Sequence, residues 1–287
     1  MGPGEGPSVY RACVRFRIVA SDIDGTLLRS DGTLAPRTHA TLDRVVAAGS
    51  TFVLATGRPP RWVHPIAEMT GHQGLAVCSN GALVIDLTDE RVVDIRLHDR
   101  TIALAAADAI RALVPDASFA VDGPSGFGHI PGYKSVFAHG RDAREASLEE
   151  LLEGKVTKMM FRHPDMDAHL LDALIAAIGD LATVTYGSMG DDLGPNTLIE
   201  MMPFGVTKAD ALERIAHHFD ATSADVIAFG DMPNDVDMLT WAGHGVAMDN
   251  AHPTAKKAAD EITLSNDDDG VAVVLERLLQ AQASSGS

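Results

Sequence analysis

The stretch Ala20-Ser21-Asp22-Ile23-Asp24-Gly25-Thr26-Leu27-Leu28 decides how the rest of the chain is read. It follows an apolar run, Phe16-Arg17-Ile18-Val19-Ala20, whose composition predicts a buried strand. Residues i and i+2 of a strand project to the same side, so the spacing places Asp22 and Asp24 together where that strand ends. Gly25 permits a positive φ and lets the chain turn sharply away. Two close carboxylates repel unless a proton or cation lies between them, and a hard cation such as Mg²⁺ is the natural guest. A strand end followed by a solvated turn has the same spacing, so the reading depends on partners elsewhere in the chain.

Working outward, Pro36 opens a helix with apolar Leu42, Val45 and Val46 that closes at Gly49, and residues 51–55 form a second apolar strand. Strand, helix and strand make a βαβ unit, which requires parallel pairing. The second strand ends in Thr56-Gly57-Arg58-Pro59-Pro60, a hydroxyl and a glycine that can contact an anion or simply start a helix. Pro65 predicts a kink or a short helix there. A third strand over 74–77 ends at Ser79-Asn80-Gly81, and 82–87 and 91–97 read as a strand pair.

Texture changes after that. A helix over 101–113, short strands and loops over 116–138, a helix at 148–152, a strand over 155–161, a helix over 167–178 and a strand over 182–186 suggest an inserted α+β module. His129, His139, His163 and His169 lie within it without metal-ligand spacing. Residues 198–202 read as a strand leading back. Thr207-Lys208-Ala209-Asp210 then opens a helix, where a lysine is poorly placed for the helix dipole unless an anion binds nearby. A strand over 225–229 runs into Gly230-Asp231-Met232-Pro233-Asn234-Asp235, which supplies further oxygen ligands or a capped helix start. Short strands at 245–248 and 262–264 follow. The acidic run Asp267-Asp268-Asp269 reads as the cap of a helix over 271–279.

Composition narrows the class. The chain has 287 residues, 46% hydrophobic and 22% charged, an ordinary globular balance with room for two domains. A net charge of −17 argues against a nucleic-acid partner, and any phosphate site must carry its own local positive charge. Cys13 and Cys78 are the only cysteines, which fits inert thiols in a reducing cytoplasm. No apolar run approaches a membrane span and no signal-peptide core is visible; residues 1–8 and 282–287 read as loose tails.

Together the four motifs, Asp22 to Leu27, Thr56 to Arg58, Lys208 and Gly230 to Asp235, resemble the haloacid dehalogenase superfamily of phosphohydrolases, and within it the Cof-type branch. Ser79 to Ala82 and Asp269 to Val271 are similar to the same branch; Ala209 and Pro233 depart from it without removing a reacting group. The resemblance implies an open Rossmann-like parallel sheet, with core residues 1–87 and 197–287 and an α+β cap over 88–196. It implies Asp22 as nucleophile and Asp24 as general acid/base. Thr56, Gly57 and Lys208 would bind phosphate. Mg²⁺ would be held by Asp22, the Asp24 backbone carbonyl and Asp231, with Asn234 and Asp235 in support. The partner implied is a small phosphorylated metabolite such as a sugar phosphate, pyridoxal phosphate or flavin mononucleotide. A phosphotransferase or mutase, or a non-catalytic phospho-ligand binder, are the competing expectations. The sequence leaves oligomeric state and the particular ester open.

Overall fold

The computed structural model describes residues 16–71, 73–133, 143–163, 166–187 and 198–285. The first part of the chain forms β1 (Ile18–Ser21), α1 (Pro36–Ala47), β2 (Thr51–Ala55), α2 (Pro60–Thr70), β3 (Leu75–Cys78), β4 (Leu83–Asp86) and β5 (Arg91–Ile95). Next come α3 (Arg100–Leu113), β6 (Ser118–Gly123), β7 (Gly126–His129), β8 (Arg144–Glu145), α4 (Leu148–Leu151), β9 (Lys158–Arg162), α5 (Ala168–Ile178), β10 (Ala182–Gly187) and β11 (Leu198–Pro203). The last part holds α6 (Lys208–His218), β12 (Val226–Gly230), α7 (Val236–Trp241), β13 (His244–Ala247), α8 (Pro253–Ala258), β14 (Glu261–Ile262) and α9 (Gly270–Ser285).

Two sheets organise these elements. The first has the order β14-β13-β12-β1-β2-β3-β4-β5 and is parallel except at β4 and β5, which run antiparallel at one edge. Its central strands are buried on both faces and therefore read as continuous apolar runs. Helix α1 shows how the layers are cemented: Pro36 sits in its first turn, and Thr38, Thr41, Leu42 and Val45 form one buried stripe at helical spacing. The second sheet, β10-β11-β9-β6-β7-β8, is antiparallel apart from β7 with β8. It has its own core, centred on Phe119 and Phe161, whose rings lie 5.9 Å apart. Each such ring contributes about 1.5–3 kcal/mol by leaving water.

The α/β class with an inserted α+β module is what the sequence predicts, but sheet membership moves its boundaries. The strand expected at the head of the 88–196 insertion, β5, pairs with β4 in the first sheet. The strand expected to lead back into the core, β11, lies between β10 and β9 in the second sheet. By strand pairing the insertion begins after Ile95 and ends at Pro203. An apolar run looks the same whichever sheet receives it.

Smaller expectations shift as well. Helix α2 runs through Pro65, which gives up one intrahelical bond, because Val63, Ile66, Ala67 and Thr70 still anchor its buried face. Helix α9 extends to Ser285, beyond the expected 279. The acidic run also docks a loop: Asp267 accepts hydrogen bonds from Ser30, and Asp269, whose carbonyl accepts from the Val273 N–H at the start of α9, pairs with Arg29 at 2.7 Å. Residues 1–8, Cys13 and His139 lie outside the described residues. Among the described residues, no helix is long and apolar enough to cross a membrane.

Candidate active site

In an open α/β sheet, ligands bind beyond the carboxyl ends of the strands, where the connections diverge to opposite sides. Here that point is the β1–β12 pair: β2 and β3 follow on one side of β1, and β13 and β14 on the far side of β12. Asp22 follows β1, Thr56 follows β2 and Asp231 follows β12. A cavity of about 300 Å³ opens there, lined by Asp22, Asp24, Thr56, Gly57, Arg58 and Asn234 from the first sheet's loops and by Lys158, Tyr186 and Glu200 from the second sheet. A larger hollow of about 620 Å³ lies around Thr51, Gly74 and Arg214, at the other end of the strands and away from these groups.

Lys208 does not line the cavity but lies fully buried behind Asp22, and its Nζ donates to Asp22 Oδ1 at 2.5 Å and to Asp235 Oδ1 at 2.6 Å. The anion that makes a lysine intelligible at this helix start is thus a pair of the protein's own carboxylates. Thr207 caps α6 by accepting from the Asp210 N–H, which fixes the turn that carries Lys208. Both oxygens of Asp235 are engaged by the protein, because its Oδ2 also accepts from the N–H groups of Asp231 and Met232, each at 3.0 Å. Asp231 takes one bond, from Thr26 Oγ1 at 2.7 Å. Gly25, at φ +73°, passes so close that a Cβ there would lie 2.3 Å from Asp231 Oδ2.

Burial raises Asp22 well above the ordinary carboxylate range, against the opposing pull of Lys208. Burial, helped by Asp235, likewise pushes Asp231 up to about 7. Burial alone would lower the Lys208 ammonium, but Asp22 and Asp235 outweigh it and hold its pKa above the ordinary value. Ligand oxygens of Asp22, Asp231 and Asp235 all lie within 4.8 Å of one another. Three clustered carboxylates facing one ammonium leave an excess of negative charge that a hard dication fits. With both Asp235 oxygens engaged, Asp22 and Asp231 are the carboxylates with an oxygen to spare, so the residues present suit Mg²⁺. Among the described residues no other cluster of this kind forms, the scattered histidines included.

Asp24 lines the same cavity as Asp22, as the spacing predicts, but has a partner of its own. Strand β1 ends at Ser21 and a tight turn follows over residues 23–27, within which Asp24 itself keeps an extended backbone. Asp24 is half exposed and accepts two bonds from Arg58, at 2.5 and 2.7 Å. It shares the cavity with Asp22 but not the metal-competent cluster. Thr56 is buried with its Oγ1 accepting from the Arg58 N–H, and Asn234 Nδ2 donates to Asn80 Oδ1 at 3.0 Å.

Several residues escaped the sequence reading. Lys158 and Glu200 form a buried ion pair at the cavity wall, and Lys158 Nζ also donates to the Gly57 carbonyl at 2.8 Å. Arg61 on α2 pairs with buried Asp122 on β6 through two bonds of 2.7 and 2.8 Å, tying the two sheets together beside the site. The signal for the first pair was present: a lysine and a glutamate inside otherwise apolar strands need buried partners. Cys78 is a free buried thiol, pushed up to about 12 by burial and therefore inert, as expected.

The chain's relatives show which class of protein carries this fold, and it is a class of hydrolase. The family model for haloacid dehalogenase-like hydrolases matches residues 19–275. The chain belongs to this family. It is 28% identical over 272 residues to the HMP-PP phosphatase of Yersinia enterocolitica, covering 93% of this chain and 96% of that protein. It is 26% identical over 275 residues to the 5-amino-6-(5-phospho-D-ribitylamino)uracil phosphatase of Bacillus subtilis, covering 90% and 96%. In fold it matches a solved subclass IIB sugar phosphatase with a TM-score of 0.74 at 22% identity, over 91% of this chain and 98% of the other.

Proposed function

We propose that this protein is a Mg²⁺-dependent phosphatase of a small phosphate monoester, acting through an aspartyl-phosphate on Asp22. The observation that carries the reading is the buried Lys208 ammonium held between Asp235 and Asp22, the carboxylate that lines the cavity. A cation in that place neutralises the nucleophile's surroundings and presents positive charge to an incoming phosphate.

A carboxylate oxygen of Asp22 attacks phosphorus as the bond to the leaving alcohol breaks, and Asp24 gives the departing oxygen its proton. Asp24 then takes a proton from water, whose oxygen attacks phosphorus and releases the Asp22 carboxylate and inorganic phosphate. The Asp24 side chain is 56% exposed within the cavity, so it can exchange Arg58 for the substrate oxygen. Thr56, the Gly57 backbone and Lys208 stabilise charge on the transferring phosphoryl oxygens. Mg²⁺, when bound by Asp22, Asp231 and the Asp24 carbonyl, adds charge neutralisation between the carboxylates and the anionic substrate. Asn234 and Asp235 support that arrangement. The second sheet, through Lys158, Tyr186 and Glu200, bounds the space for the leaving group. The two relatives are named for different phosphate esters, so the class of substrate is as far as their kinship reaches.

The test is phosphate release from a panel of small phosphate monoesters, with Mg²⁺ and with EDTA. Asp22→Asn should abolish release. Asp24→Asn should lose about 10²–10⁴-fold in turnover, yet with p-nitrophenyl phosphate it should accumulate a phospho-enzyme visible as added mass after acid quench. Release that survives EDTA, or full activity in Asp22→Asn, would refute the reading.

A further inference from the structure

A chain of hydrogen bonds crosses from the inserted sheet to the loops of the site. Lys158 on β9 pairs with Glu200 on β11, and the two side chains are only 5% and 14% exposed. From this pair Lys158 Nζ reaches the Gly57 carbonyl at 2.8 Å. Glu200 Oε2 accepts from Asn80 Nδ2 at 2.8 Å, and Asn80 Oδ1 accepts in turn from Asn234 Nδ2 at 3.0 Å. Asn80 is itself in a costly place: Ser79 and Asn80 are consecutive non-glycine residues with φ of 50° and 52°, both buried. Such strain persists only where the surroundings impose it, and it clusters at functional sites. The next residue, Gly81, packs so tightly that a Cβ would lie 2.0 Å from the Thr207 carbonyl, at the cap of the helix that presents Lys208. Asn80 thus touches or abuts the loops of Gly57, Lys208 and Asn234 and is gripped by the second sheet through Glu200.

A buried ion pair adds little net stability, since well-packed apolar residues often serve as well or better. What this pair does that an apolar pair cannot is direct a donor at the Gly57 carbonyl and an acceptor at Asn80.

We propose that Lys158, Glu200 and Asn80 are positioning residues that set the Gly57 and Asn80 loops according to where the inserted sheet sits, so that the phosphate subsite is fully formed only with the cap in place. For turnover this rests on the phosphatase reading; for loop order it does not.

The experiment compares wild type with the double variant Lys158→Met/Glu200→Met, which replaces the pair by apolar side chains and so keeps the fold testable. Amide hydrogen exchange read by mass spectrometry should rise in peptides covering 56–60 and 79–82, on the other sheet, while the strands flanking the substitutions stay protected. With p-nitrophenyl phosphate, kcat should fall on the order of 10²-fold at little-changed KM, the cost of misplacing reacting groups by about an ångström. Wild-type exchange at 56–60 and 79–82 in the double variant overturns the proposal. If the wild-type protein released no phosphate from any ester, the phosphatase reading would fail while the exchange result still decided the relay.

Discussion

Stripped of divalent cations, the protein should lose stability as the pH rises from 5.5 to 8. The cause is Asp231, whose carboxyl is pushed by burial from an ordinary 3.8 to about 7. The folded state holds its proton more tightly than the unfolded chain does. The resulting stabilisation is complete below the unfolded value and disappears as pH climbs through the folded one. Integrated over the window from pH 5.5 to 8, the loss is about 2 kcal/mol from this group alone. Asp22, raised by burial against the pull of Lys208, contributes in the same direction. Mg²⁺ bound as proposed would compete with the proton for the same carboxylates, so saturating Mg²⁺ should flatten the dependence. The assay is urea denaturation at both pH values, in EDTA and in Mg²⁺, for wild type and Asp231→Asn. The difference in slope between the two proteins in EDTA isolates the group. Equal slopes would refute the assignment of a buried, proton-binding Asp231.

Gly25→Ala places a side chain at φ +73° and within 2.3 Å of Asp231 Oδ2. The backbone strain should cost about 1–2 kcal/mol in thermal or urea melts, and displacement of Asp231 should weaken Mg²⁺ binding by calorimetric titration; unchanged Mg²⁺ affinity would count against Asp231 as a ligand. Lys208→Met leaves Asp22 and Asp235 buried without their cation and should destabilise the metal-free protein by about 3–5 kcal/mol, part of it recovered by Mg²⁺ in the same melts.

How much of this was legible beforehand varies from residue to residue. Lys208 announced itself, because a cation in a first helical turn opposes the dipole and demands an anion. What the sequence could not say is that the anions are Asp22 and Asp235, brought together by strands far apart in the chain. The alternation argument for Asp22 and Asp24 reached the cavity that both line but not their partners, because β1 stops at Ser21 and a turn carries Asp24. Asp24 therefore turns toward Arg58. The parallel core was readable from its continuous apolar runs and the intervening helices, whereas the allegiance of β11 was not. Lys158 and Glu200 were visible as misplaced charges, but nothing in their spacing names a partner across two strands.

The strand order has a consequence for how the chain comes to be folded. Strand β1 is zipped between β2, which follows it closely, and β12, whose residues emerge about 200 positions later. At roughly 5–20 residues per second, a nascent chain carries β1 with one open edge for about 10–40 seconds before β12 exists. The inserted sheet suffers no such delay, because all its strands come from the contiguous stretch between β6 and β11. Synthesis thus passes through a stage with a finished cap beside a half-sheet, whose bare and mostly apolar edge is where a chaperone, or a wrong strand, would bind.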